Sequence, residues 1–242
     1  MAVVNEKPIG VAHAFFQTRD VAWLEGVRVH PSYRGQGIAG KLNLALTRFA
    51  AEKGARVARL ATASRNRASR RHLDKVGFKV LRIFQRLDSG IPLVHRPARV
   101  ARPRRYDTSI WKWVRSRPEL ELFKEMYSDG WTWYPLNARS IQKFFGQRGV
   151  LQAGSNPPTS CSIFSSEERR FTVGFAAGPF AQMCDHARYM RYLLPKEKKQ
   201  KVRALVPERS RSVDAFERAG YEKSGKALVY EKPLRPWARI EN

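Results

Sequence analysis

The residues best placed to do chemistry lie in one short segment, residues 26–42, which reads Gly-Val-Arg-Val-His-Pro-Ser-Tyr-Arg-Gly-Gln-Gly-Ile-Ala-Gly-Lys-Leu. Its pattern predicts a strand, a glycine-rich turn and then a helix. A helix N-terminus leaves backbone N–H groups unpaired and carries partial positive charge, so it attracts anions. Gly35, Gly37 and Gly40 would let a ligand approach this backbone closely, and Arg34 adds a fixed cation. The segment therefore predicts a cradle for a pyrophosphate group.

The spacing of these glycines also matches the dinucleotide-binding fingerprint G-x-G-x-x-G. That fingerprint needs an acidic residue about 20 positions further on, at the end of the next parallel strand. The corresponding segment, residues 56–63, reads Arg-Val-Ala-Arg-Leu-Ala-Thr-Ala and has no carboxylate. A hairpin rather than a crossover is predicted before the glycines. These features disfavour a nicotinamide cofactor, and the lack of His-Arg-Asp and Asp-Phe-Gly sequences argues against a protein kinase.

Two motifs in the same order resemble those of the GNAT (Gcn5-related N-acetyltransferase) superfamily. Arg34-Gly-Gln-Gly37-Ile-Ala39 is similar to the acyl-CoA signature of that family, Arg/Gln-x-x-Gly-x-Gly/Ala, and it follows a strand that ends Val-x-Val-x-Pro. Asn66-Arg-Ala-Ser69, with Gly77-Phe78 eleven residues after the asparagine, resembles the second motif of the family. The resemblance covers residues 10–86, and it implies an N-acetyltransferase that uses acetyl-CoA as co-substrate.

The resemblance also implies which residues hold acetyl-CoA. The strand that carries Val27 and Val29 would splay from its neighbour and pair with the pantetheine amides. The glycine loop would receive the pyrophosphate through backbone N–H groups, and Asn66 would contact the pantetheine arm. The predicted cofactor residues are Val27, Val29, Arg34, Gly35, Gln36, Gly37, Ile38, Ala39, Gly40 and Asn66.

Glu25 is the candidate general base. Acetylation of an amine needs a neutral nucleophile, a polarised thioester carbonyl and a proton for the departing thiolate. Strand alternation predicts that Trp23, Glu25 and Val27 share one face of the strand that enters the cofactor site. Many members of the resembled family carry a glutamate near this position. The alternative is a structural carboxylate that pairs with Arg28 or with another basic neighbour.

The general acid that the resemblance implies is missing. The tyrosine of the family follows the asparagine by seven positions, and that position is Leu73 here. His72 is adjacent, but it would point about 100° away around the helix. Departure of the thiolate without a donor and protonation by Tyr33 both stay open. The predicted reaction is direct attack of the amine on the thioester.

Two similar segments divide the chain, at residues 56–84 and 201–230. Each reads as an apolar strand, a polar loop, a basic helix, a glycine with an aromatic residue, and a further strand. They predict an α/β fold with a mixed sheet, built as two GNAT-like domains of which the first lacks its usual opening strand and helices. The predicted domains are residues 1–95, which bind acetyl-CoA, and 106–242, a degenerate copy without the glycine cradle. Prolines and arginines over 96–105 predict an extended, exposed linker.

Charge is the most unusual bulk property, with 46 Lys+Arg against 21 Asp+Glu and a formal net charge of +25. Such a field attracts polyanions and repels polycations, so polyamines are disfavoured as acceptors. Contact between nucleic acid and the linker arginines is one interpretation, and a solvated basic surface is the other. No known nucleic-acid-binding motif accompanies the charge.

Cysteine content and hydropathy indicate the cellular compartment and bear on metal and membrane binding. Cys161 and Cys184 are the only cysteines, too few for a disulfide framework or a thiolate zinc site, so we expect a cytoplasmic protein without a metal. No apolar run reaches the length of a membrane span, so no membrane partner is expected. The expected partners are acetyl-CoA and an amine of a small molecule or a protein N-terminus. The rival hypothesis is a non-catalytic GNAT-fold module that senses acyl-CoA or binds nucleic acid.

Overall fold

The computed structural model describes residues 1–103, 105–155 and 157–234. The first elements in chain order are β1 (Ala2–Val4), β2 (Lys7–Phe16), β3 (Val21–Val29), a 3-10 turn (Pro31–Tyr33), α1 (Ile38–Glu52), β4 (Val57–Ala63), α2 (Arg67–Lys75) and β5 (Lys79–Ser89). They are followed by α3 (Thr108–Arg115), α4 (Pro118–Leu122), β6 (Met126–Asp129), β7 (Thr132–Pro135), α5 (Ala138–Gly146), β8 (Val150–Ala153), β9 (Ser160–Ser166), β10 (Arg170–Ala177), α6 (Phe180–Lys196), β11 (Lys201–Pro207), α7 (Arg211–Arg218) and β12 (Glu222–Pro233). None of the helices within these ranges combines the length and apolarity that crossing a bilayer would take.

The chain divides into two compact units, one formed by residues 1–81 with the residues from 228 onward, and one by residues 82–227. Strands β5 and β12 therefore each contribute residues to both units. The predicted domains, residues 1–95 and 106–242, were drawn from the internal repeat and differ from these compact units. They stay a prediction about where each copy of the repeat begins and ends.

In the first unit, the strands lie in the order β1-β2-β3-β4, and the last part of β12 lies beside β4. The pairs β1–β2 and β2–β3 are antiparallel, whereas β3 and β4 are parallel. Helix α1 packs on β2 and β3 around a buried cluster of Ile9, Ile38 and Leu42. The guanidinium of Arg59 in β4 lies 2.7 Å from the carboxylate of Glu231 in β12. The last part of the final described strand therefore belongs with the strands of the first unit.

In the second unit, the strands from β5 onward lie in the order β5-β11-β10-β9-β8, with the first part of β12 beside β5. Strand β11 is antiparallel to β5 and parallel to β10. Strands β6 and β7 form a separate antiparallel pair, which the sequence analysis did not predict. Fully buried aromatic side chains fill this unit, among them Phe84, Phe123, Trp133, Phe164 and Phe175. The predicted α/β class with a mixed sheet is confirmed.

Residues 96, 98, 99, 101 and 105 of the predicted linker are exposed, but contacts with the second unit hold its middle part. Val100 is 3% exposed, and Ala101 pairs with strand β8 through two backbone hydrogen bonds. The Arg102 guanidinium forms a salt bridge with Glu197 of the same unit. Apolar and ionic contacts with the second unit thus fix residues 100–102, which the composition of the segment did not predict. Arg104 lies outside the described residues.

Candidate functional site

Strand β3 leaves its parallel neighbour early. The register between β3 and β4 runs only from Val21↔Val57 to Trp23↔Arg59 in the described chain, although β3 continues to Val29. On its other side, β3 stays paired with β2 as far as Gly10↔Val29. The later part of β3 thus has a backbone edge that is not used by β4, as the GNAT resemblance implied. An extended ligand can pair with such an edge.

A β-bulge in β3 lies directly after Glu25. Strand β3 advances three residues, from 25 to 28, while β2 advances two, from 13 to 11. Gly26 adopts a φ of 68°, a conformation that glycine tolerates without strain. Because the bulge adds one residue, side chains before and after it do not keep the regular alternation.

Glu25 and the two valines therefore lie on opposite faces of β3. Val27 and Val29 pack against the buried cluster under helix α1. The indole Nε1 of Trp23 donates a hydrogen bond to Glu25 Oε2 at 3.0 Å, on the other face. The prediction that Trp23, Glu25 and Val27 share a face is wrong at Val27, and the bulge is the reason.

The carboxylate of Glu25 lies next to a histidine that the sequence analysis did not select. His13 pairs with Glu25 across the β2–β3 hairpin, with 3.5 Å between His13 Nδ1 and Glu25 Oε1. The basic neighbour is thus His13 rather than Arg28, whose guanidinium donates to the carbonyl of Val27 at 3.0 Å. The Glu25 side chain remains 40% exposed, so a substrate can reach it.

The glycine loop encloses a small cavity of about 170 Å³ at the start of helix α1. Gly37 is the N-cap residue, and no side chain caps the helix. The first intrahelical bond joins the N–H of Lys41 to the carbonyl of Gly37 at 3.1 Å, so the N–H groups of residues 38–40 have no acceptor in the helix. The cavity therefore meets a helix end with free donors. It is lined by Val29, Tyr33, Arg34, Gly35, Gly37, Ile38 and Ala39.

The three glycines of the loop have different surroundings, because two face open space and one packs against a neighbouring helix. Gly35 and Gly37 adopt φ values of +82° and +75°, and a Cβ on either would meet nothing within 4 Å. The space in front of both is open to a ligand. A Cβ on Gly40, in contrast, would lie 2.8 Å from Cε1 of His72. Gly40 therefore lets helices α1 and α2 pack closely, which the sequence analysis did not foresee.

The predicted cofactor residues do not all line this cavity. Gln36 is exposed in the loop, and Arg34 is exposed with its Nε 3.4 Å from the carbonyl of Val29. Asn66 is the N-cap of α2, where its Oδ1 accepts the N–H of Ser69 at 3.1 Å. The structure thus gathers part of the predicted set around one cavity, namely Val29, Arg34, Gly35, Gly37, Ile38 and Ala39, and it places Val27, Gln36, Gly40 and Asn66 outside the lining.

The position of the missing tyrosine belongs to the core. Leu73 is 1% exposed, so a side chain at this position does not face a cofactor. Next to it, His72 has a buried Nε2 with no hydrogen-bond partner in the structure. Burial lowers the pKa of His72, and the charge of Lys75 lowers it further, so this imidazole stays neutral near pH 7. Of the candidate proton donors considered, Tyr33 is the one that lines the cavity.

The second unit has a much shorter junction at the corresponding place. Only Gly178 and Pro179 separate strand β10 from helix α6. A Cβ on Gly178 would lie 2.6 Å from the Cβ of Ser160, so this position has no room for a side chain. The described residues of this junction thus differ from the glycine loop of residues 35–40, where the Cβ positions of Gly35 and Gly37 meet nothing within 4 Å.

Comparison with known proteins agrees with this geometry. The model of the acetyltransferase (GNAT) family matches residues 1–78. No curated protein sequence matches the chain.

Solved structures resemble the chain over nearly its whole length. A protein from Thermoplasma acidophilum has a TM-score of 0.63 at 15% identity, and the alignment covers 96% of this chain and 77% of that one. A GCN5-related N-acetyltransferase from Sphaerobacter thermophilus gives 0.62 at 13% identity, with 94% and 78% covered. A tandem GNAT protein from the clavulanic acid biosynthesis pathway gives 0.58 at 11% identity, with 98% and 82% covered. The match to the acetyltransferase (GNAT) family model is thus confined to residues 1–78, and the chain as a whole shares its fold with these solved structures.

Proposed function

We propose that the protein is an N-acetyltransferase that uses acetyl-CoA to acetylate a primary amine. The observation that carries this proposal is the open cavity at the start of helix α1, beside the splayed strand β3 and within the residues that match the family. A pyrophosphate group suits this place because unpaired N–H groups, the helix dipole and the Arg34 guanidinium all favour negative charge.

The chain offers a holding group for each part of acetyl-CoA. The loop from Arg34 to Gly40 would bind the pyrophosphate, and the free edge of β3 near Val27 and Val29 would pair with the pantetheine amides. The Oδ1 of Asn66 is used by the N–H of Ser69, so its Nδ2 is the group that would reach the pantetheine arm. Acetyl-CoA supplies an acetyl group that is activated as a thioester.

Glu25 is the proposed base. The Trp23 indole and His13 fix its carboxylate from two sides, and its exposure leaves room for an amine or for a bridging water. The amine gives one proton to Glu25, and its nitrogen forms an amide as the carbon–sulfur bond breaks. The departing sulfur leaves as a thiolate and takes up one proton, either from water or from a donor such as Tyr33. The reaction converts an amine and a thioester into an amide and a thiol.

The acceptor that we propose is an amine of a small molecule or a protein N-terminus. The net charge of +25 disfavours polycations such as polyamines. We place this activity in the cytoplasm, where Cys161 and Cys184, both free and buried, would stay reduced.

Calorimetry with acetyl-CoA tests the binding half of the proposal. Wild-type protein should bind, and Gly37→Glu should weaken binding by more than about a hundredfold, because its carboxylate would enter the phosphate space. Gly54→Glu is the matched control, since Gly54 also has a positive φ of +90° with nothing within 4 Å and lies at the other end of α1. Absence of binding by well-folded wild-type protein would refute the proposal.

Thiol release with a panel of amines tests the catalytic half. Glu25→Gln should lower kcat by about a hundredfold or more while acetyl-CoA still binds. Glu6→Gln, in the exposed turn of the first hairpin, is the control and should keep full turnover. Undiminished turnover in Glu25→Gln would remove Glu25 from the base role. Binding without turnover by any amine would favour the rival hypothesis of a non-catalytic module, which the buried Leu73 also supports.

A further inference from the structure

A larger cavity, of about 420 Å³, lies at the junction of β10 and α6 in the second unit. Its size is within the range of small-molecule pockets. Charged groups of both signs line it together with an aromatic ring. The residues that matter are Trp113, Arg117, Glu119, Gly178, Pro179 and Arg211.

Glu119 supplies a negative group with unused capacity. Its Oε1 accepts the backbone N–H of Gly178 at 3.2 Å. Its Oε2 is buried, and no hydrogen-bond partner for it exists among the described residues. A buried carboxylate oxygen without a partner is costly, so this atom calls for a donor that the described chain does not supply.

Two arginines supply the positive groups. The Arg117 guanidinium lies 5.3 Å from the Trp113 ring, and its Nε and Nη2 donate only to the hydroxyl of Ser116 among the described residues. Arg211 is the first residue of helix α7. Neither arginine forms a salt bridge with a carboxylate in the described chain, and guanidinium groups are suited to bidentate binding of carboxylates.

We propose that this cavity binds a small zwitterion of the α-amino acid class. The ligand carboxylate accepts hydrogen bonds from Arg117 and Arg211, and the ligand ammonium pairs with the carboxylate of Glu119, which lines the cavity. The remainder of the ligand packs against Trp113 and Pro179. A dicarboxylate would be repelled by Glu119, and a diamine by the two arginines, so both charges of the ligand are required. The site does not depend on the proposed acetyl transfer.

Calorimetry with each standard amino acid, and with acetate, methylamine and inorganic phosphate as separate probes, tests this site. At least one amino acid should bind saturably and about tenfold or more tightly than acetate, methylamine or phosphate, because each of these probes satisfies only one side of the site. Failure of every amino acid to bind folded protein would overturn the proposal, as would equal or tighter binding of acetate or phosphate.

Variants separate this site from the cofactor site. Glu119→Gln keeps an acceptor for the N–H of Gly178 but loses the charge, and it should weaken amino acid binding about tenfold or more, as should Arg211→Gln. Arg209→Gln, an exposed arginine two positions before Arg211, is the matched control and should bind normally. Acetyl-CoA titrations should be unchanged in all three variants. Normal amino acid affinity in both Glu119→Gln and Arg211→Gln would overturn the proposal, and Arg117→Gln replaces the first variant if that variant does not fold.

Discussion

The junction after strand β3 and the junction after strand β10 occupy equivalent places in the two units, but they are built differently. Eight residues, 30–37, lead from β3 to helix α1, whereas two residues lead from β10 to helix α6. In the first junction, the glycine Cβ positions of Gly35 and Gly37 face open space. In the second, the Cβ position of Gly178 meets Ser160, and the N–H of Gly178 bonds to Glu119.

The two junctions therefore surround their helix starts in different ways. The start of a long helix carries unpaired donors and positive potential, whichever copy it belongs to. The first unit leaves the donors of residues 38–40 open to a ligand across the glycine loop. In the second unit, a carboxylate of the chain itself, that of Glu119, accepts the N–H of Gly178, the residue before the N-cap of α6.

Removal of the residues after 227 should produce the largest difference in stability between the two units, because the residues removed belong to the first unit alone. The first unit would lose the Arg59–Glu231 pair and the bond from Lys232 Nζ to the carbonyl of Val76 at 2.7 Å. We expect acetyl-CoA binding to disappear and amide protection in β4 to fall by more than about a hundredfold, while β9 to β11 stay protected. Hydrogen exchange measured by mass spectrometry would show this.

A chain that ends at residue 234 is the control for this truncation. It keeps all of β12 and should retain both acetyl-CoA binding and the protection of β4. Full protection of β4 in the shorter chain would mean that the first unit does not need its last strand.

Gly178→Ala should have the next largest effect. Its Cβ would lie 2.6 Å from Ser160 Cβ, and its φ of +128° is a conformation that L side chains rarely adopt. We expect the free energy of unfolding to fall by about 3 kcal/mol through overpacking and backbone strain. Urea denaturation measures this loss. A loss below that of Gly37→Ala would contradict the contrast between a filled and an open junction.

Acid should weaken the second unit through His186 of helix α6. Its ring nitrogens contact the hydroxyls of Ser160 and Ser162 at 3.1 and 2.8 Å, and burial lowers its pKa from 6.5 to about 3. The unfolded chain binds this proton near pH 6.5 and the folded chain does not, so stability is lost as the pH falls. Between pH 6.5 and pH 5, we expect a loss of about 2 kcal/mol from this group.

Denaturation at several pH values checks this effect. His186→Gln should flatten the dependence on pH over that window, even if its absolute stability is lower. An unchanged slope in this variant would show that His186 is not the group responsible.

Gly37→Ala should have the smallest effect on stability, because nothing within 4 Å meets the new Cβ. The left-handed conformation alone should cost about 1 kcal/mol of the free energy of unfolding. Calorimetry should show acetyl-CoA affinity reduced about tenfold, since the methyl group intrudes on the ligand space. Unaltered affinity would place the pyrophosphate elsewhere.

Elements set by local patterns could be predicted from the sequence. Over residues 26–42 the structure has the predicted order of a strand, a turn with glycines and a helix, since β3 ends at Val29 and α1 begins at Ile38. Alternation, helical periodicity and loop glycines are local signals, so one sequence is enough to detect them. The cavity at the glycine loop follows from the same local chemistry, because it is made almost entirely of consecutive residues.

Features that depend on distant partners could not be predicted. Arg102 forms a salt bridge with Glu197, and β4 lies beside β12. Neither contact can be predicted from the residues near each partner in the sequence, because the partners are far apart along the chain. The repeat predicted that a strand follows each basic helix, but it did not predict which strands would be the neighbours of β5 and β12. Gly26 was a usable signal that was missed, because an isolated glycine within a strand often marks a bulge. Reading it would have separated Glu25 from Val27.

The place of strand β12 also sets the order in which a newly made chain can fold. All residues of the second unit precede residue 228, so they leave the ribosome before the first unit has its last strand. Until then, strand β4 has an open edge, and such edges invite pairing with other chains and engagement by chaperones. The residues of the proposed cofactor site precede the second unit in the chain, but their strand β4 gains β12 as a neighbour only after that unit has been synthesised. A prematurely terminated product would therefore carry an exposed edge on β4.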